Sequence, residues 1–387
     1  MKIIAFYLPQ FHEIPENNEW WGKGFTEWTN VRKAKPLFKG HQQPRVPKDG
    51  NYYNLLDDDV KRWQVDLARK YGIYGFCFYH YWFDGHLLLE KPVEQFLENE
   101  TLDLPFCLSW ANPPWSKTWV SRSDQVLIDQ EYDGSERWKA HFYYLLPFFR
   151  DKRYIKNEGK PLYIIYEPEQ IECIEEMLKY WEELAIKEGL PGLEFAYQYY
   201  QSGNTDKRMR ELFNYDIEFQ PIYSLQEPIT NTKKFSEKIL RKIDGIYYSV
   251  TGRKLSEILM KNVRKHDYDE VWSAVLQREP KDEKSVPGVF VDWDNTSRRP
   301  NGGRVFVGGN PEKFKNYLKI QIQRTKEVYN KDFMFLTAWN EWCEGSYLEP
   351  DEKNGHAYLE AIRDALTSTN EFPEYPNHKE NSIDLKE

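Results

Sequence analysis

The stretch Phe333-Met-Phe-Leu-Thr-Ala-Trp-Asn-Glu-Trp-Cys-Glu-Gly-Ser-Tyr-Leu-Glu-Pro350 decides the fold, because an apolar run of strand length passes directly into Trp339, Asn340, Glu341, Trp342, Glu344 and Glu349. Strands that deliver polar and aromatic groups at their carboxyl ends are the units from which parallel α/β barrels build their sites. Two carboxyls three residues apart, interleaved with indoles, also suit sugar chemistry. Glycosidic cleavage requires one carboxyl that can protonate a leaving oxygen and another that stays ionised, and apolar aromatic walls push two such pKa values apart. Glu341 and Glu344 are therefore the candidate catalytic pair. Glutamates in a solvated surface loop would carry no such meaning, but tryptophans interleaved with them need a reason to be there.

Outward from this segment, short apolar runs alternate with amphipathic stretches. Strands are predicted at residues 3–8, 73–79, 105–110, 161–166, 193–199, 216–221, 289–292 and 333–338, and helices near 58–71, 135–149, 171–188 and 311–329. Gly189-Leu-Pro191 closes the third of these helices. Eight strand units in a chain of 387 residues predict one α/β domain, a (β/α)8 TIM barrel with elaborated βα loops, over residues 1–368. A polar tail follows at 369–387, expected to fray from Thr367. Two insertions, one from Pro9 to about Asp57 and one from about Ser224 to Lys284, read as loop elaborations that shape a cleft.

The strand ends carry the remaining candidates. His80, Tyr81 and Trp82 follow the second strand, Trp110 and Asn112 the third, Glu167 the fourth, Gln198 and Tyr199 the fifth, and Asp292 and Trp293 the seventh. With Trp339, Asn340 and Trp342 they form the expected substrate-binding set, and at least two of Trp82, Trp110, Trp339 and Trp342 are expected to line the cleft. A strand-end histidine such as His80 can equally be a satisfied structural group, and Glu167 can equally be a partner for an arginine. Glu27 and Trp28 are not expected to contact the substrate directly, and Glu349 reads as a brace for its loop.

Composition narrows the function classes. Aromatic residues make up 16% of the chain, enough to supply both a core and flat faces for pyranose rings. Lys and Arg total 53 against 62 Asp and Glu, a net charge of -9, and no basic stripe interleaves with aromatics, which argues against nucleic acid. Cys77, Cys107, Cys173 and Cys343 lack CxxC spacing and read as free thiols, neither a zinc site nor a disulfide framework. No Gly-rich phosphate loop follows a strand. Asp57-Asp-Asp59 opens a helix and Asp292-Trp-Asp294 is a lone match to a metal motif, so no metal and no cofactor are expected. The apolar run at residues 3–8 is too short for a signal h-region, and no run approaches the roughly 18 apolar residues of a membrane span. The expected location is cytoplasmic, or periplasmic or secreted if a leader was removed. Nothing in the sequence sets the oligomeric state.

Four separated segments carry a family resemblance: Ile4-Ala-Phe-Tyr-Leu-Pro-Gln-Phe-His12, Glu19-Trp-Trp-Gly-Lys-Gly-Phe-Thr-Glu-Trp-Thr-Asn-Val31, Gly75-Phe-Cys-Phe-Tyr-His-Tyr-Trp-Phe83 and Ala338-Trp-Asn-Glu-Trp-Cys-Glu-Gly345. Over nearly the whole chain it resembles the WbsX-like proteins, which are similar in turn to glycoside hydrolase family 99, the endo-α-mannosidases and endo-α-mannanases. The resemblance implies a retaining, metal-independent mechanism in which the substrate's own 2-hydroxyl attacks the anomeric carbon through a 1,2-anhydro sugar. Glu341 then matches the residue that assists deprotonation of that hydroxyl, and Glu344 the general acid/base. Cys343 stands where the mannosidases usually have histidine, a departure that bears on the sugar recognised. A conventional double displacement with Glu341 as nucleophile is the other mechanism open to this pair. The expected activity is a retaining glycoside hydrolase acting on an oligo- or polysaccharide, α-mannoside-like or another bacterial linkage. The alternatives are a glycosyltransferase of O-antigen or polysaccharide biosynthesis and a non-catalytic carbohydrate-binding barrel.

Overall fold

The computed structural model describes residues 1–116, 126–198, 207–226 and 263–376. Among these, eight parallel strands run around a barrel: β1 (Lys2–Tyr7), β2 (Gly75–Phe83), β3 (Phe106–Trp110), β4 (Lys160–Ile165), β5 (Glu194–Gln198), β6 (Tyr215–Ile217), β7 (Ser285–Val286 and Gly288–Phe290) and β8 (Phe333–Thr337). Each pairs with its predecessor in the chain, and β8 returns to β1 with Lys2 opposite Phe333 and Ala5 opposite Leu336. The ring closes through β7 in two halves, because Pro287 has no amide hydrogen to give to a ladder. Ser285–Val286 pairs with β6, and Gly288–Phe290 pairs with β8. A Cβ on Gly288 would stand 2.0 Å from the carbonyl oxygen of Glu218, so only glycine lets the chain pass there. The barrel expected from the sequence is the architecture found.

Two of the helices begin where their end signals put them. Asp58–Tyr71 begins on Asp57, whose carboxylate accepts the Asp59 amide at 3.0 Å, and stops at Gly72 in the left-handed region. Pro311–Glu327 begins on Asn310, which accepts the Lys313 amide at 2.9 Å, with proline at the first helical position. Ser135–Arg150 and Ile174–Lys187 cover the outer faces of β2, β3 and β4.

Side-chain alternation along the strands decides what reaches the interior. On β2, Tyr79 turns inward against Phe6 and Tyr166, and Tyr81 lies on the same side. Phe78 faces Phe96 of the helix Lys91–Glu98, while His80 and Trp82 face His141 of Ser135–Arg150.

The first insertion packs down on the barrel mouth: buried Trp28 donates its indole N–H to the Tyr53 carbonyl at 2.8 Å and lies 5.4 Å from the Trp342 ring. Of the second, the described part contributes a parallel ladder of Arg264–Asp267 with Arg304–Val307 and a helix at Tyr268–Leu276. The frayed end expected from Thr367 is corrected as far as residue 376, and residues 377–387 lie outside the described residues. Helix Ala357–Ser368 continues into docked chain, where Tyr375 donates to the Ile73 carbonyl at 2.9 Å, Glu371 pairs with Lys326 and Phe372 lies against Gly72.

Candidate active site

Past β8, the chain is fastened before it presents its acids. The amide of Asn340 accepts from the Leu8 N–H at 2.8 Å and donates to the Leu8 carbonyl at 3.0 Å, replacing the backbone pairing that β1 would otherwise lose. A short 3-10 turn, Trp342–Glu344, then ends on Gly345 at φ 62°. A Cβ on Gly345 would meet Asp294 at 2.8 Å, so glycine permits both the left-handed turn and the approach of the loop that follows β7. That loop is fixed to the turn by two bonds: the Asp294 amide donates to the Glu344 carbonyl at 2.6 Å, and the Ser297 hydroxyl to the Cys343 carbonyl at 2.6 Å.

Those bonds bring Arg298 between the two acids. Its Nη1 donates to Glu344 at 3.1 Å, and its Nη2 lies 3.4 Å from Glu341 and in close contact with Glu27. One guanidinium therefore holds three carboxylates, delivered by the loop after β1, the loop after β8 and the turn that follows. Glu341 is nearly enclosed, and burial lifts its carboxyl to about 7, against the pull of Arg298 and with the help of Glu344. Tyr79 and Tyr81 face this centre from β2, their phenols raised first by burial and then by the nearby carboxylates. Beneath it, Gln198 donates to Tyr79 at 3.3 Å and accepts from Ser109 at 2.7 Å, which carries the polar interior across to β5 and β3.

A second charged group adjoins the first. Arg45 donates to Asp292 at 2.8 Å, while His41 and Gln43 reach Asp294 at 2.9 Å and 2.8 Å. Burial alone would raise the Asp294 carboxyl, but Arg45 and the donors from Thr296 and Gln43 hold it below the usual range. The Asp292-Trp-Asp294 segment thus serves as a receptor for Arg45, His41 and Gln43. Among the described residues no group of three or more His, Cys, Asp or Glu side chains could hold a metal ion.

The other predicted residues separate into two sets. Tyr81 and Asp292 lie with the acids or beside them, as above. His80, Trp82 and Trp110 do not, which corrects the expectation that they face the cleft. His80 shares a 2.8 Å hydrogen bond with His141, Trp82 stacks on His141 at 4.6 Å, and Trp110 packs against His141 and Trp181 under the helices. Trp339 and Trp342 turn their indole N–H groups to Glu349 at 3.1 Å and 2.7 Å, and Gln64 and Tyr53 complete its four donors at 2.7 Å and 2.8 Å. Even so, burial lifts Glu349 to about 7. Asn112 clamps β3 to the end of β4, accepting the Glu167 amide at 2.8 Å and donating to its carbonyl at 2.9 Å. The Glu167 carboxylate accepts from Gln170, and burial raises it. Trp293 is buried, and Tyr199 lies outside the described residues. Arg298 was not among the predicted residues, because nothing in Ser297-Arg-Arg-Pro300 distinguishes it from its exposed neighbour Arg299.

A family model described as Glycosyltransferase WbsX matches residues 3–362. The uncharacterized protein WxcX from two strains of Xanthomonas campestris pv. campestris is 36% and 35% identical over 368 residues. Each alignment covers 94% of this chain and 49% of the relative, so the chain spans about half the length of the curated relatives it matches. Among solved structures, the glycoside hydrolase family 99 endo-alpha-mannosidase from Bacteroides thetaiotaomicron superposes with a TM-score of 0.53 at 13% identity, covering 95% of this chain and 97% of that one. A glycoside hydrolase-like protein superposes with a TM-score of 0.57 at 13% identity, covering 94% and 93%. At such identity the likeness is one of fold.

Proposed function

The chain belongs to the WbsX glycosyltransferase family, and from that premise we propose that it is a retaining glycoside hydrolase acting on an oligo- or polysaccharide, an α-mannoside-like linkage first among them. The observation that supports this most is the pair Glu341 and Glu344 on one guanidinium at the carboxyl end of β8. The endo-alpha-mannosidase with the same fold suggests the linkage.

In the proposed reaction Glu341 takes the proton of the substrate 2-hydroxyl while that oxygen bonds to the anomeric carbon. The glycosidic C–O bond breaks, and Glu344 gives its proton to the departing oxygen. In the second half water attacks the anomeric carbon and yields a proton to Glu344, and the 1,2-anhydro ring opens with O2 recovering its proton from Glu341. A carboxylate lifted to about 7 is a better match to an alcohol proton than one at 4.5, which is what burial of Glu341 supplies.

The test is a screen of mannans and bacterial exopolysaccharides with product anomers followed by NMR, then two variants. Glu344→Gln should slow natural linkages by roughly 100- to 10,000-fold and spare activated aryl glycosides, whose leaving groups depart without a proton. Glu341→Gln should slow both classes. Full activity in either variant would remove that residue from the mechanism. The family description favours a second reading, glycosyl transfer from an activated donor. Under it, Glu344→Gln would spare transfer from a nucleotide sugar, and incubation with acceptor would give a longer glycan rather than a shorter one.

A further inference from the structure

Arg298 is more firmly placed than a surface arginine has reason to be. It follows a turn whose first residue, Asp294, accepts from His41, Gln43 and Thr296, and the same turn is tied to the acid-bearing segment through the Cys343 and Glu344 carbonyls. Its side chain is 14% exposed, and that of its partner Glu27 is 2% exposed. Glu27 sits in the first turn of the helix Glu27–Lys33, in a segment of the first insertion that the reaction above leaves without a task.

We propose that Arg298, seated by Glu27, is the counterion that decides which acid of the Glu341 and Glu344 pair holds a proton, a positioning residue that acts through the acids without touching the sugar. The inference rests on reading those two glutamates as the reacting pair. Among the described residues, the groups that face Glu341 are Arg298 from the loop after β7, Glu27 beside that guanidinium, Glu344 and Cys343 from its own turn, and Tyr79 and Tyr81 from β2. Arg298 is the only cation among them. Two carboxyls enclosed together cannot both ionise cheaply, and an opposite charge at hydrogen-bond range is what permits it. Glu27 divides that charge, because its oxygen and the Glu341 oxygen meet the same Nη2.

The test needs no known substrate. Protein labelled with 13C at the glutamate side-chain carboxyl is titrated by NMR, and Glu341→Gln identifies the Glu341 signal by its loss. Arg298→Gln should move the Glu341 midpoint upward by about 1 to 3 pH units. Glu27→Gln keeps an oxygen to receive Nη2 while deleting a charge, and should move the midpoint down. Arg298→Lys should return it toward the wild-type value, which also separates loss of charge from loss of fold. An unchanged midpoint in Arg298→Gln and Glu27→Gln would overturn the proposal whatever the protein cleaves. If the midpoints move as stated but the wild type cleaves no glycoside, the positioning role stands and the hydrolase reading fails. With a cleaved glycoside in hand, the acid limb of kcat/KM should follow the NMR midpoint from variant to variant, with KM little changed.

Discussion

A carboxylate that works as a base has to be ionised, so the environment that raises Glu341 to about 7 sets a pH requirement. We expect kcat/KM on an aryl glycoside to fall as pH drops through about 7, because protonation of Glu341 removes the acceptor for the 2-hydroxyl proton. A profile flat from pH 5.5 to 8 would take the base role away from Glu341. That Glu341 and Glu344 come together past β8 was legible as two carboxyls after an apolar run, spaced by indoles. Their wall was not. All nine residues of β2 are buried, since a barrel strand packs apolar side chains on both faces, so the alternation that assigns inside and outside has no polar contrast to show. Read as a block, His80-Tyr-Trp82 looks like one cluster, yet Tyr81 faces the acids and its two neighbours face a helix. Arg298 is 46 residues from Glu344 and meets it only through tertiary contact, so no local pattern could announce it.

Parity has consequences for an element as well as for a site. His80 on β2 and His141 on helix Ser135–Arg150 form a buried pair in which one imidazole donates to the other, and burial holds His80 down to about 3 and His141 well below its ordinary value. The folded state therefore refuses protons that the unfolded chain accepts below about 6.5. Because the unfolded state binds more protons in that range, stability conferred by the pair is complete above pH 6.5 and is lost as pH falls toward about 3. We expect the urea midpoint to decline from pH 6.5 to 4.5, and the decline to shrink in the double variant His80→Gln, His141→Gln, which keeps a hydrogen bond but no titration. Equal slopes in the two proteins would mean the pair is not the acid-sensitive joint. The strand positions themselves were readable from eight apolar runs and four of the helices from amphipathic stretches, whereas Lys91–Glu98 and Ala357–Ser368 were not among the expected helices. What escaped was the first half of β7: Ser285–Val286 is only two residues long and is cut off by Pro287, too short for an apolar pattern to register.

Across the whole molecule the chemistry and the stability pull in opposite directions. Burial lifts Glu341 and Glu349 to about 7, and Glu218, which receives the Tyr329 hydroxyl at 3.0 Å, to about 8. Each of these groups holds a proton in the folded protein that the unfolded chain releases above about 4.5, so the stability they contribute is lost as pH rises through their folded values. Between about pH 7.5 and 8.5 the His80 and His141 pair is almost wholly neutral in both states and does not obscure this decline. The ionised Glu341 that the proposed reaction needs is thus reached by climbing the same slope on which the fold weakens, the trade that a buried acid would impose between an active site and its scaffold. Raising one carboxyl from 4.5 to about 7 corresponds to roughly 3 kcal/mol at about 1.4 kcal/mol per pH unit. Glu341→Gln removes that term while keeping the shape and an oxygen for Arg298. We therefore expect Glu341→Gln to lose activity and yet to exceed the wild type in stability at pH 8.5, by up to that amount, with the advantage shrinking to less than about 1 kcal/mol at pH 5, where folded wild-type Glu341 is protonated. Urea unfolding of the two proteins at pH 5 and 8.5 measures both ends. A variant less stable than wild type at pH 8.5 would show that the ionised carboxylate, gripped by Arg298, holds the barrel mouth together more strongly than its burial strains it.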